Sequence, residues 1–136
     1  MEDKEIYRFL NRPRNLLAQI RATQQRIDAT RLSMYPSAIR YDTDKVMSSP
    51  SDPMPRYAER IDHLERELAR LREEYYKSQD NILDATMCLT DKEQELIMLK
   101  YVGFKTWKQI MVELHIGRTW AFELHRKAVK KLSEKN

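Results

Sequence analysis

The sequence predicts an all-α chain: an N-terminal helix and a long coiled-coil-type helix, followed by a C-terminal three-helix helix-turn-helix domain. Three observations predict it. Apolar residues recur at three- and four-residue steps over most of the length. Two Thr-x-x-Glu/Gln boxes stand where helices would begin. Only two glycines interrupt 136 residues.

The first element covers residues 1–33. Leu10, Leu17, Ile20, Gln24 and Ile27 form a seam of alternating three- and four-residue character. Pro13 is expected to break or kink this helix, because proline removes an amide donor and crowds the preceding turn. Asn11 would then cap the second part. Residues 34–56 hold four of the five prolines and a Ser/Asp cluster without periodicity, and read as a long loop. Asp52-Pro53 suits a cap and a first helical turn.

Residues 57–89 read as a coiled-coil-type helix. Ile61, Leu64, Leu68, Leu71, Tyr75, Ser78, Ile82, Ala85 and Leu89 make an a/d seam over about four heptads. Asp62–Arg66 and Glu73–Lys77 are spaced to pair along its side. From Pro53 to Leu89 such a helix is roughly 50 Å long at 1.5 Å per residue, which would make it the longest element. So narrow an apolar stripe needs a second helix, and Ile61, Leu64, Leu68, Leu71 and Ile82 are the expected interface. The partner can be the N-terminal helix, in a hairpin, or a second copy, in a homodimer.

Residues 90–136 form the third part. Thr90-Asp91-Lys92-Glu93 and Thr106-Trp107-Lys108-Gln109 are the two capping boxes, and Gly103 suits the end of the helix between them. Trp107, Ile110, Met111 and Leu114 give the middle helix its buried face. His115-Ile116-Gly117 is a short turn. In the last helix Ala121, Leu124, Ala128 and Leu132 share one side. Charge collects on the other. Residues 57–90 carry five basic and eight acidic side chains, whereas from Lys100 onward there are nine basic against three acidic. Such an asymmetry suits a polyanion. A helix presented in this way fits a major groove. Arg118, Thr119, Trp120, Phe122 and Glu123 are expected at base edges, with Arg118 matched to guanine and the rings of Trp120 or Phe122 to a thymine methyl. Arg126, Lys127, Lys130 and Lys131 are expected on phosphates. Glu123 would meet a cytosine amino group or pair with a neighbour such as Lys127. The bland alternative is a three-helix bundle with a solvated basic surface; Phe122, opposite the core side, speaks against it unless the ring packs on the coiled-coil part.

The stretch from Leu89 to Leu132 resembles region 4 of sigma-70-type factors. It does so through Asp91-Lys92-Glu93, Leu96-Ile97-Met98-Leu99-Lys100-Tyr101, the Thr106–Leu114 helix, Ile116-Gly117 and Lys127-Ala128-Val129-Lys130-Lys131-Leu132. With Tyr41-Asp42-Thr43-Asp44-Lys45-Val46-Met47-Ser48-Ser49-Pro50 ahead of the coil, nearly the whole chain is similar to small phage and prophage regulators of the ArpU and RinA type. The resemblance implies control of transcription, often of late phage genes, by binding promoter DNA in the nucleoid of a bacterial host, with RNA polymerase as a further partner. Three positions depart from the region-4 pattern. Met111 stands where a small alanine is usual, which should push the second and third helices apart. His115 stands where the turn usually has glycine, and Gly117 where a serine usually caps the recognition helix.

Other classes fit less well. No run approaches the ~20 apolar residues of a membrane span, and no apolar stretch follows the charged start, so neither a membrane nor a signal peptide is expected. The single cysteine, Cys88, suits a reducing cytoplasm. Cys88 and the three histidines lack metal-ligand spacing, two glycines cannot build a phosphate loop, and no nucleophile stands with a base. No metal, no cofactor and no enzymatic activity are expected. The runner-up function is a DNA-packaging subunit of the small-terminase kind, which also joins a helix-turn-helix to an oligomerising coil. A third is a coiled-coil adaptor that never meets DNA.

Overall fold

The computed structural model describes residues 2–34 and 53–135. Every regular element among these residues is helical: α1 (Asp3–Met34), α2 (Met54–Ala85), α3 (Asp91–Ile97), α4 (Trp107–Leu114) and α5 (Arg118–Lys135). A 3-10 turn at Thr86–Cys88 follows α2, and a π turn at Met98–Val102 continues α3. The long N-terminal helix, the long second helix and the C-terminal three-helix bundle are those anticipated from periodicity. The Tyr41–Pro50 motif and the Asp52 cap lie outside the described residues. Two compact units arise, residues 18–72 and residues 1–17 with 73–136.

In two respects α1 departs from expectation. It runs unbroken through Pro13, so Asn11 lies inside the helix and caps nothing. Proline costs a helix one amide bond and a local clash. Here the ring is fully buried, so apolar burial offsets part of that cost. With α1 unbroken, its 32 residues equal those of α2, which is therefore not the single longest element.

In residues 18–72, Ile27 packs with Leu64 and Leu68, and Ile20 lies against them. Arg31 pairs with Glu65 at 2.8 Å across the two helices. This is an antiparallel hairpin, the first of the two pairings that the seam allowed. Leu71 is buried and Ile61 half-buried. The buried side of α1 includes Thr23 and Thr30 in place of the expected Gln24, which is half-buried. Threonine can be buried there because each hydroxyl donates to its own helix, Thr23 to Gln19 O and Thr30 to Arg26 O.

In the other unit, a single core joins Ile6 and Leu10 of α1 and Ile82 of α2 to Leu89, Leu96, Ile97, Tyr101, Ile110, Leu114, Ile116, Ala121, Ala128, Val129 and Leu132. Ile82, expected at the coil seam, is thus a member of this core. Both capping boxes form. Thr90 Oγ1 accepts from Glu93 N, and Glu93 Oε1 accepts from Thr90 N at 3.0 Å. Thr106 and Gln109 repeat the exchange at 3.2 and 2.9 Å. Gly103 does end the helical run, but with φ −85°. Its hydrogen matters for another reason: a Cβ there would meet Leu99 O at 3.0 Å, as the π turn brings that carbonyl close. The left-handed residue is the next one, Phe104, at φ 54°.

Candidate nucleic-acid interface

The presentation of α5 is set at its start. α4 ends at His115, which takes the left-handed conformation itself, at φ 56° and ψ 46°. Its amide donates to Met111 O and Val112 O. A non-glycine residue bears a steric cost there, and the two bonds that close the end of α4 compensate it. Ile116 is buried, its amide bonding Met111 O at 3.1 Å, and Gly117 O receives the first α5 bond, from Ala121 N at 3.0 Å. The turn is therefore made without glycine at position 115.

Four residues of α5, Ala121, Ala128, Val129 and Leu132, are buried. All nine residues expected at DNA, Arg118, Thr119, Trp120, Phe122, Glu123, Arg126, Lys127, Lys130 and Lys131, are exposed. They are not equally available. Phe122 meets Trp107 of α4 edge-on, with ring centroids 4.8 Å apart, and remains 41% exposed. It packs on α4, not on the coiled-coil helices. Arg118 lies over the same ring at 5.4 Å, and Lys92 of α3 lies over Trp120 at 4.8 Å. Glu123 pairs with Arg126 at 3.3 Å, one turn on, instead of the neighbour Lys127 suggested by the sequence. Lys131 reaches Glu93 of α3 at 2.8 Å.

That last pair is structural chemistry the sequence did not disclose. Glu93 is 2% exposed. Burial pushes its carboxyl pKa upward, but the bonds from Lys131 and Thr90 outweigh this and hold it below the ordinary glutamate value. One side chain thus closes the α3 capping box and anchors the second half of α5. The signal was the Thr-x-x-Glu box itself, yet only the fold brings Lys131 to it.

A second anchor escaped the sequence altogether. His125 of α5 lies among rings from three other segments: Tyr7 of α1 at 6.4 Å, Tyr101 of the π turn at 5.8 Å and Trp107 of α4 at 5.2 Å. Its Nε2 is 2.7 Å from the Tyr101 hydroxyl. Burial, with Lys100 adding to it, pulls the imidazole down to about 4, and burial, then Tyr7, pushes the Tyr101 phenol up to about 12. At neutral pH both are uncharged, so the phenol can donate to the ring nitrogen. The cluster fixes the roll of α5 about its axis. Met111, expected to wedge α4 from α5, is half-buried against the same core, and Trp107 still bridges the two helices.

What the arrangement offers is a rigidly braced helix with Arg118, Thr119, Trp120 and Phe122 exposed at its N-terminal end and Lys127 and Lys130 further along. Among the described residues no group of three or more His, Cys, Asp or Glu converges as a metal site, and no helix is long and apolar enough to cross a membrane. No protein-family model, curated protein or solved structure matches the chain. Among the described residues the regular structure is all helical and ends in a three-helix bundle of helix-turn-helix type.

Proposed function

We propose that this chain is a sequence-specific double-stranded DNA-binding regulator of transcription, of the ArpU and RinA phage and prophage kind, that reads promoter DNA with α5. The observation that carries the proposal is the outer side of α5. It is exposed along its length, held by the Glu93–Lys131 pair and the His125 cluster, and ordered as groove recognition requires. A forked donor and apolar rings lie at the N-terminal end, and cations follow. Arg118 is the leading candidate for guanine. Lys127 and Lys130 are the clearest phosphate contacts, because neither enters an ion pair among the described residues. Lys131 divides its charge between Glu93 and whatever lies outside. The role is one of binding, not catalysis, and belongs in the cytoplasm of a bacterial host, with RNA polymerase as a further partner on the promoter.

Selection of bound duplexes from a random pool by the full chain tests this reading, with sedimentation of the same sample. A recovered consensus together with a monomer or dimer supports it. A large ring in solution would favour the packaging alternative, and no binding even at low salt, where a basic face binds best, would favour an adaptor.

A further inference from the structure

α1 enters the second unit through Ile6, Leu10 and Pro13, all fully buried. Burial of that side fixes what the other side shows. Lys4, Tyr7, Arg8, Asn11, Arg14 and Asn15 line one shallow depression on the outside of the helix. Their three- and four-residue steps place them on one face. Lys4, Arg8 and Arg14 are exposed, and none forms an ion pair among the described residues. Arg12, on a different side, is paired with Glu74 at 3.3 Å.

This face adjoins the proposed reading helix. Tyr7 stacks with His125, and Asp3 and Tyr7 share a depression with Arg126, Val129, Lys130 and Ser133 of α5. Further along, Arg14 lies 5.4 Å over Phe104, in the segment before α4. Lys100 sits over the Trp107 ring at 4.6 Å and the Tyr101 ring at 5.5 Å. Burial, and then the charge of Arg14, hold its ammonium below the ordinary lysine range. The charges of Arg14 and Lys100 thus add to one region of positive potential that an anion would relieve. Asp3 is the one acid facing Arg126 and Lys130 from α1 in their shared depression.

We propose that Lys4, Arg8 and Arg14 of α1 form a second phosphate-contacting strip, along the DNA backbone that borders the groove entered by α5. The proposal rests on the reading of α5 as the groove helix. Packed helices lie about 8–10 Å axis to axis, and the major groove is about 12 Å wide. α1 meets α5 through Tyr7 and His125, so its outer side comes within reach of the phosphates that border such a groove, where an acidic face would be repelled and a basic one attracted. The strip adds affinity and carries no sequence information.

The test uses the full chain and two duplexes, one bearing the selected site and one unrelated. Affinity is followed against salt for wild type, Lys4→Gln/Arg8→Gln, Arg12→Gln and Lys130→Ala. Each lost phosphate contact lowers the salt slope by about 0.9, so the double variant should lose about two, equally on both duplexes, and keep the preferred site. Arg12→Gln should keep the wild-type slope, which separates contact from net charge. Lys4 and Arg8 are exposed, so the double variant should melt as wild type does. Hydroxyl-radical footprinting gives a second readout: protection of the bordering sugars should fade while that of the central groove stays. A wild-type slope in the double variant, alongside a reduced slope in Lys130→Ala, would overturn the α1 strip and leave α5 standing. A wild-type chain that binds neither duplex at low salt would overturn the α5 reading and the strip with it.

Discussion

The two units of this chain are held together in different ways. Residues 18–72 form a two-helix hairpin with one narrow seam, where Ile27 meets Leu64 and Leu68, and threonines and an interhelical ion pair complete the contact. Residues 1–17 and 73–136 share a core of fourteen buried residues drawn from every helix present there. A hairpin whose buried side includes hydroxyls gains less from water exclusion per residue. Each fully buried aliphatic side chain contributes about 1.5–3 kcal/mol, so most of the stabilisation lies in the second unit. That is also where α5 is braced.

The largest expected effect comes from cutting this core. A fragment of residues 90–136 lacks Ile6, Leu10 and Ile82, each fully buried. It should show helical circular dichroism without a cooperative melt. A sharp transition near that of the full chain would mean that these three residues are not needed. Next in size, Ile82→Ala should cost about 2–5 kcal/mol by chemical denaturation, as a cavity left in a closed core. Leu68→Ala should fall at the low end of that range, about 2 kcal/mol, since the hairpin seam has fewer neighbours to lose and can relax. Hydrogen exchange should then rise first in residues 18–72. Equal costs at the two sites would remove the contrast.

Much of this was legible in the sequence where the signal is local. Thr90–Glu93 and Thr106–Gln109 are four-residue motifs, and both capping boxes form as their spacing requires. The amphipathic pattern of α5 placed all nine of its expected outer residues in solvent. Signals that depend on distant residues were not legible. Pro13 looks like a breaker until its ring is seen buried. Thr23 and Thr30 look polar until their hydroxyls are seen bonded to their own helix. The His125 cluster joins four segments from Tyr7 to His125, and no periodicity announces it. That Lys131 also reaches a carboxylate is hidden because Glu93 lies 38 residues earlier.

Two smaller effects probe how α5 is held. Glu93→Gln keeps the bond to Thr90 N but removes the charge opposite Lys131, and should cost about 1 kcal/mol. The folded-state pKa of Glu93 lies below its unfolded value. Its contribution is therefore present above the ordinary glutamate pKa and is lost as pH falls through the lower folded value. The Gln variant should lack that acid-side loss. His125 acts over a higher window. Its folded pKa, about 4, lies under the ordinary 6.5, so between these values the unfolded chain takes up a proton that the folded one refuses. Stability should fall by about 1–2 kcal/mol as pH drops from 6.5 to 4, allowing for solvent screening of a partly exposed ring. His125→Phe should flatten melting temperature over that range. A wild-type profile in the Phe variant would assign the acid response to another group.

The central claim is that α5 reads base edges with its N-terminal residues and holds phosphates with its later lysines. The most direct measurement is the binding of the full chain, and of Arg118→Ala and Lys130→Ala, to the selected duplex and to its single-base variants across a salt series. Lys130→Ala should lower the salt slope by about one and leave the preferred site unchanged. Arg118→Ala should keep most of the slope and lose about 1–3 kcal/mol of discrimination at one base pair. If both substitutions weaken every duplex equally, with no position losing its preference, α5 does not read sequence.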